Sequence, residues 1–360
     1  MFKILADKAI PFTEFYFSSI AEVTRVAASE ITNQRCESFD GLLIRSVTQV
    51  DESLLSNTAI KWVGTATIGI EHLDLNWLKS NFIQWHSAPG CNALAVVQYV
   101  LSALAVWSEQ SAKPFESITA GIVGLGEVGS RLKRALDYLS VNTRYCDPFV
   151  NSGDGSIALT QLLDECDVVT LHVPLTKNGS APTYYLMDER AFEHLASDKL
   201  LINAARGDVI QGKALTSWLE KGGQAILDVW PNEPNISNQL LNKVLVGTPH
   251  IAGYSIEGKL NATTQLFHRL TEFLNIENNG FESSPLSESE WIESDSKSLT
   301  DLLLASYNIL DDHKQLIVSD INAERFSSLR NNYMFRHDYS GQKTKNDHWA
   351  ADLQYLSSLK

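Results

Sequence analysis

The sequence predicts an α/β protein built on two doubly wound parallel sheets, with a small additional region at the C-terminal end. Short apolar runs alternate with helical patterns from the first residues onward. A glycine-rich turn sits between an apolar run and an amphipathic stripe. The alternation stops near residue 275, where Asn, Ser and Glu take over. A length of 360 residues suits two or three domains of ordinary size.

The elements follow in order. Apolar runs at 2–6, 41–44, 61–65 and 82–85 read as strands, and 12–20, 52–56 and 75–80 read as short helices between them. These make a first α/β unit over residues 1–92. The long apolar stretch 93–107 is interrupted by Gln98 and Ser102. It reads as a buried helix extending to 109, too short to span a bilayer comfortably. A second alternating series has strands at 120–123, 143–146, 168–171, 200–203, 225–228 and 244–247. Its helix 127–139 places Val128, Leu132, Ala135, Leu136 and Leu139 on one stripe, the spacing needed to pack on a sheet. A further helical pattern covers 257–275. Residues 275–296 read as a linker, with six acids and no bases. The rest, 297–360, mixes amphipathic and polar residues.

Charge and cysteine usage exclude whole classes of function. Forty-three acids against 29 bases leave a net charge of −14, which repels nucleic acid and anionic lipid but allows a local basic pocket for a small anion. Cys36, Cys91, Cys146 and Cys166 form no CxxC pair, so neither a zinc site nor a disulfide framework is expected; they read as reduced thiols. No metal site is expected. The N-terminal residues carry no signal-peptide pattern, and the expectation is a cytoplasmic protein with neither a membrane nor a nucleic-acid partner.

Gly124-Leu125-Gly126-Glu127-Val128-Gly129 lies directly after one predicted strand and opens the amphipathic helix. In such a GxGxxG the first glycine makes the tight turn and the second lets a pyrophosphate approach the backbone. The third lets helix and strand pack closely, and the helix N-terminus favours the phosphate charge. Asp147 follows at the end of the next strand, about 20 residues on, where a carboxylate binds the adenosine ribose and repels a 2′-phosphate. The pattern points to NAD rather than NADP.

Three polar residues lie where later strands end: Arg206, Glu233 and His250. In a doubly wound sheet the ligand crevice lies outside those ends. Oxidising a 2-hydroxy acid needs a guanidinium fork for the carboxylate, a base for the hydroxyl proton and a carboxylate to orient that base. Each residue alone has a plainer reading: a surface ion pair for Arg206, a solvated loop acid for Glu233, a structural imidazole for His250.

The ordered segments Leu171-His172-Val173-Pro174-Leu175-Thr176, residues 203–207, Asp228-Val229-Trp230 through Glu233-Pro234, and Pro249-His250-Ile251-Ala252-Gly253 resemble the signatures of the D-isomer 2-hydroxyacid dehydrogenases. The resemblance covers about 40–275. It implies that Arg206, Glu233 and His250 are the catalytic trio. It also implies cofactor contacts at Asp147, Asp228 and Gly253, with the backbone beside Val173 and at Ala204, Ala205 and Arg206 lining the nicotinamide. Arg45-Ser46-Val47-Thr48, Val63-Gly64-Thr65-Ala66-Thr67, residues 88–93, and Gly253-Tyr254 with Glu257-Gly258-Lys259 resemble a branch acting on a small phosphorylated acid. That likeness implies substrate contacts at Ser46, Thr67 and Tyr254, with Arg45 adding charge for the phosphate.

The implied architecture is a Rossmann-type NAD domain at 93–254 and a flavodoxin-like substrate-binding lid formed by 1–92 with 255–280. A dimerisation region at 281–360 would make the protein a homodimer. Gln98, Gln211 and Val173 depart from the residues usual in the family at their positions (Glu, an acid or Asn, and Thr). Two other readings stay open. One is a dehydrogenase for another D-2-hydroxy acid such as 3-phosphoglycerate, and the other is a nucleotide-sensing protein that has lost the reaction.

Overall fold

The computed structural model describes residues 1–150, 155–276, 285–286, 289–292 and 298–359. The chain divides into two compact units, Met1–Asn92 with Ser255–Ser289 and Ala93–Tyr254 with Glu290–Lys360.

The first unit is a five-stranded parallel sheet of β1 (Phe2–Asp7), β2 (Ala21–Val26), β3 (Gly41–Ile44), β4 (Trp62–Thr65) and β5 (Gln84–His86), in the order β2-β1-β3-β4-β5. Side chains alternate between its faces, as the period of two in a strand requires. Leu5, Leu42, Ile44 and Val63 enter one apolar cluster with Leu78. Ile4, Ala6, Leu43 and Trp62 enter another, with Phe17 and with Leu266, Phe267 and Leu270 of the helix Ile256–Phe273. Both faces are covered, the condition under which parallel sheets occur. β2 is a strand that the apolar-run reading does not find. It pairs with β1 alone, and its sequence AEVTRV is buried at its ends and more exposed between them. An edge strand needs no continuous apolar run.

The second unit holds β6 (Thr119–Val123), β7 (Asn142–Cys146), β8 (Val168–Leu171), β9 (Leu200–Asn203), β10 (Gln224–Leu227) and β11 (Val246–Gly247). These six parallel strands run β11-β10-β9-β8-β6-β7 and coincide with the predicted series. The helix Ala93–Ser111 is buried from Ala93 through Ser108. With the helix Glu127–Tyr138 it covers one face, where Val97, Val100, Leu132 and Leu136 meet Ile122, Ile202 and Ile226. Helices Leu159–Glu165, Glu189–His194 and Gly212–Glu220 cover the other through Leu162, Phe192, Leu215 and Trp218. The strand order reverses between β6 and β8, so a crevice opens beyond their carboxyl ends.

Of the expected C-terminal region 281–360, the described residues from 290 onward belong to this second unit and join its cores. They contribute β12 (Glu290–Ile292) and β13 (Gln342–Thr344), which pair in parallel, and helices Leu299–Ser306, Ile309–Ile317, Ala323–Asn331 and Ala350–Ser357. Leu302, Leu303, Ile309, Tyr339 and Leu356 join the cluster around the Ala93–Ser111 helix. Leu316, Ile321 and Phe326 join the cluster on the opposite face. The polar interruptions of the long helix are where this region docks. Gln98 donates to Ser306 Oγ (2.9 Å) and Gln342 Oε1 (3.2 Å), and Ser102 Oγ accepts from Ile309 N (3.2 Å). Most of the predicted linker 275–296 lies outside the described residues. Among the described residues no helix is long and apolar enough to cross a membrane.

Candidate active site

The nucleotide turn is built almost entirely from neighbouring residues. Gly124 adopts φ +92°, and a Cβ there would lie 2.6 Å from the His172 carbonyl oxygen at the end of β8. A Cβ on Gly129 would lie 2.0 Å from the Gly124 oxygen. Both positions therefore demand glycine for the turn itself. Gly126 differs: a Cβ there would meet nothing within 4 Å. It is the N-cap of the helix Glu127–Tyr138 and offers no side-chain cap to the helix's first N–H groups. Those N–H groups and that space suit a pyrophosphate. Asp147 locks the turn, accepting from Leu125 N through Oδ2 (2.7 Å) and from Phe149 N through Oδ1 (2.8 Å). Each oxygen keeps a lone pair for a hydroxyl donor. Glu127 pairs with Arg131 on the helix surface (2.5 Å), while Val128 and Val173 pack against the two cores.

After β9, Asn203 is fully buried and staples the next turn. Its Oδ1 accepts from Ala205 N (3.0 Å) and its Nδ2 donates to the Arg206 carbonyl (2.9 Å). Ala204, Ala205 and Arg206 are thereby fixed, and Arg206 Nη1 donates to the Ala205 oxygen (2.8 Å).

Glu233 and His250 come together across 17 residues of sequence. His250 Nδ1 lies 2.7 Å from Glu233 Oε2, and Glu233 Oε1 accepts from Trp230 N at 2.7 Å. Desolvation works to raise the Glu233 pKa. The charge and hydrogen bond of His250, the Trp230 N–H and the Arg330 charge outweigh it and hold the carboxyl below the usual range. A carboxylate only accepts, so the proton between the pair belongs to Nδ1 and Nε2 is left to take one.

The loop carrying His250 is held from a distance. His250 has φ +60°, a region that side chains rarely adopt and that persists only when the surroundings impose it. Asp228, 1% exposed, imposes much of it: His250 N donates to its carbonyl (2.8 Å). The Asp228 Oδ1 accepts from Ile251 N (2.7 Å) and Thr248 Oγ1 (2.7 Å), and its Oδ2 from Ala252 N (3.0 Å). Thr248 is bonded in turn to the Tyr99 hydroxyl (2.8 Å) on the long helix. The carboxylate expected to meet the cofactor is thus turned inward, beneath the loop.

Arg336, which the sequence reading did not single out, closes the same loop from the other side. Its guanidinium donates to the carbonyls of Ala252 (2.7 Å), Tyr254 (3.1 Å), Ile251 (3.3 Å) and Ala95 (3.0 Å) and to Gln98 Oε1 (2.9 Å). It also lies 3.9 Å over the Tyr307 ring. Gln98 therefore serves Arg336 without bringing a second charge into the core. The sequence signal for this arrangement was Gln98 itself, because a polar residue inside an apolar helix requires partners.

The expected substrate residues have distinct surroundings. Ser46 is exposed just after β3. Thr67 Oγ1 donates to the Gly69 carbonyl (3.0 Å) and bonds Thr65 Oγ1 (2.8 Å), so its own proton is already committed. Arg45 is paired with the buried Asp7 (2.7 Å), which offsets the charge expected for a phosphate. Gly253 and Tyr254 follow the His250 loop, and the Tyr254 hydroxyl accepts from Arg330 Nε at 3.2 Å. All four cysteines are free thiols, and burial pushes the Cys91 thiol up to about 12.

Comparison with known proteins gives the family. Residues 102–252 match the family described as D-isomer specific 2-hydroxyacid dehydrogenase, NAD binding domain. Erythronate-4-phosphate dehydrogenase of Hahella chejuensis is 39% identical over 98% of this chain and 96% of its own. The enzyme of that name from an Escherichia coli strain is 40% identical, over 94% of this chain and 92% of its own. The chain belongs to the erythronate-4-phosphate dehydrogenase family. It is an NAD-dependent oxidoreductase of the D-isomer 2-hydroxyacid class. Among solved structures, NAD-bound 3-phosphoglycerate dehydrogenase of Entamoeba histolytica shares the fold. Its TM-score is 0.66 and its identity 21%, over 79% of this chain and 99% of that one. D-lactate dehydrogenase of Aquifex aeolicus, with NAD and lactic acid, gives a TM-score of 0.62 at 19% identity over 76% of this chain and 95% of its own.

Proposed function

We propose that this chain oxidises 4-phospho-D-erythronate to (R)-3-hydroxy-2-oxo-4-phosphobutanoate, a step toward pyridoxal 5′-phosphate. The observation that carries the reading is the 2.7 Å contact between Glu233 and His250 on a loop fixed from three sides. A protein that only senses nucleotide has no need of that pair. NAD, when bound, supplies the hydride acceptor. Arg206 holds the substrate carboxylate in its fork. His250 Nε2 takes the C2 hydroxyl proton as the C2–H bond gives up its hydride and the C2 carbonyl forms. Glu233 keeps the ring oriented and stabilises its cationic form.

In this reading Gly124, Gly126, Glu127, Val128 and Gly129 hold the pyrophosphate, mainly through backbone, and Asp147 accepts from the ribose hydroxyls. The backbone at Val173, Ala204, Ala205, Arg206 and Gly253 lines the nicotinamide, and Asp228 acts through the loop above it. Ser46, Thr67 and Tyr254 contact the substrate. We also propose a cytoplasmic homodimer assembled through the C-terminal region. Exposed Ile317, Val318, Met334 and Phe335 support that surface.

The test replaces His250 by Ala and follows NADH formation from 4-phospho-D-erythronate. Turnover is expected to fall by roughly 10²–10⁴-fold, the span of general-base contributions, while NAD still binds. Unchanged turnover would remove His250 as the base.

A further inference from the structure

We propose that Arg330, on the helix Ala323–Asn331 of the C-terminal region, is a specificity-determining residue that binds the phosphate of the substrate through its guanidinium, beside Tyr254. The inference rests on the substrate reading above and names a group that reading leaves without a cation.

A phosphate monoester carries a charge of about −1.5 to −2 at neutral pH, and a chain with net charge −14 must supply local cations to hold it. Arg206 is assigned to the carboxylate at the other end of the substrate. Arg45, the cation suggested by sequence, is paired with Asp7 at 2.7 Å, and that carboxylate is 1% exposed. Arg330 has a different environment. Among the described residues it forms no ion pair, it is half-buried, and its Nε is held by the Tyr254 hydroxyl at 3.2 Å.

That single bond aims the guanidinium without using its charge, and leaves the Nη donors for a ligand. Tyr254 lies four residues beyond His250, and Arg330 is close enough to Glu233 to help depress its pKa. The cation is therefore near the base and bound to neither partner of the pair. In a four-carbon acid the phosphate ester is attached two carbons beyond the oxidised C2, so its cation must lie near the base in this way. Tyr254 is rigidified by Tyr333 and Phe335, whose ring centroids lie 6.0 and 5.8 Å from its own.

The experiment compares kcat/KM for 4-phospho-D-erythronate and for unphosphorylated D-erythronate in the wild type and in Arg330→Met. The ratio of the two is expected to fall by about 10- to 100-fold, the loss of one charge-assisted contact, and mainly through KM for the phosphorylated acid. Arg330→Lys keeps the charge and is expected to retain part of the ratio. If the Met variant does not fold, Arg330→Gln replaces it with the same expectation. A ratio unchanged in an enzyme whose wild type prefers the phosphorylated acid overturns the role of Arg330 alone. Equal losses on both substrates also overturn it, since they mean that Arg330 merely orients Tyr254. A wild type that does not favour the phosphorylated acid overturns the substrate reading and this proposal together.

Discussion

The nucleotide turn and the His250 loop are both short backbone segments at the carboxyl ends of strands, yet they are held in opposite ways. The turn at residues 124–129 is shaped by its own glycines and by Asp147, reached one strand later. The loop at residues 248–254 is shaped by Asp228 below it, Tyr99 on the long helix and Arg336 from the C-terminal region, 86 residues after His250. A phosphate cradle needs backbone N–H groups and room, which local sequence can provide. A base in a strained backbone conformation needs neighbours that leave it no alternative.

Removing Arg336 should therefore have the largest effect. Arg336→Met removes a donor shared by four backbone carbonyls, of which that of Ile251 keeps the Tyr254 N–H and that of Ala95 its place in the long helix, while those of Ala252 and Tyr254 lose the guanidinium that ties them to Ala95 and Gln98. With about 1–3 kcal/mol for each buried acceptor left unsatisfied, it is expected to lower unfolding stability by about 3–5 kcal/mol in urea titrations and to reduce kcat in whatever folds. Arg336→Lys should recover little, because one ammonium cannot reach a fan of acceptors. Stability and kcat like those of the wild type would mean that the loop holds itself.

The turn can be broken in two distinguishable ways. Gly129→Ala brings a Cβ to 2.0 Å from the Gly124 oxygen and should cost about 1–3 kcal/mol of stability as well as NAD affinity. Gly126→Ala meets nothing in the protein, so melting should shift little, within about 0.5 kcal/mol, while NAD binding measured by fluorescence weakens. Equal behaviour of the two variants would contradict the assignment of that open space to the nucleotide.

A further effect appears only at acid pH. Burial lowers the His172 pKa from 6.5 to about 3 at the end of β8, beside the turn, where its Nε2 bonds Thr170 Oγ1 (2.9 Å). Below pH 6.5 the unfolded chain takes up a proton that the folded imidazole refuses. This residue's contribution is thus complete above pH 6.5 and falls as pH drops toward 3. The loss should reach about 2 kcal/mol at about pH 5. His172→Gln is expected to flatten that part of the stability profile, as urea midpoints at two pH values would reveal.

Much of the fold was legible because its strands are buried on both faces and read as apolar runs. β2 was not, since an edge strand such as AEVTRV carries Glu22, Thr24 and Arg25 among its apolar residues. The glycine turn, Asp147 and the strand-end positions of Arg206, Glu233 and His250 were legible because each follows a recognisable strand. Arg330 and Arg336 were not. They belong to a polar segment without a motif, and their partners lie at Tyr254, Ala252 and Ala95, far away in sequence. Gln98 was the visible half of that arrangement; its complement could be found only in three dimensions.

The most direct measurement of the central claim is NADH formation by the purified wild-type protein with 4-phospho-D-erythronate and 3-phospho-D-glycerate side by side. A 2-oxo acid should be present in a parallel trial, so that tightly held NADH can be reoxidised. The account predicts a clear preference for the four-carbon acid. Equal or better oxidation of 3-phospho-D-glycerate, or silence with both acids even when the 2-oxo acid is supplied, would contradict it.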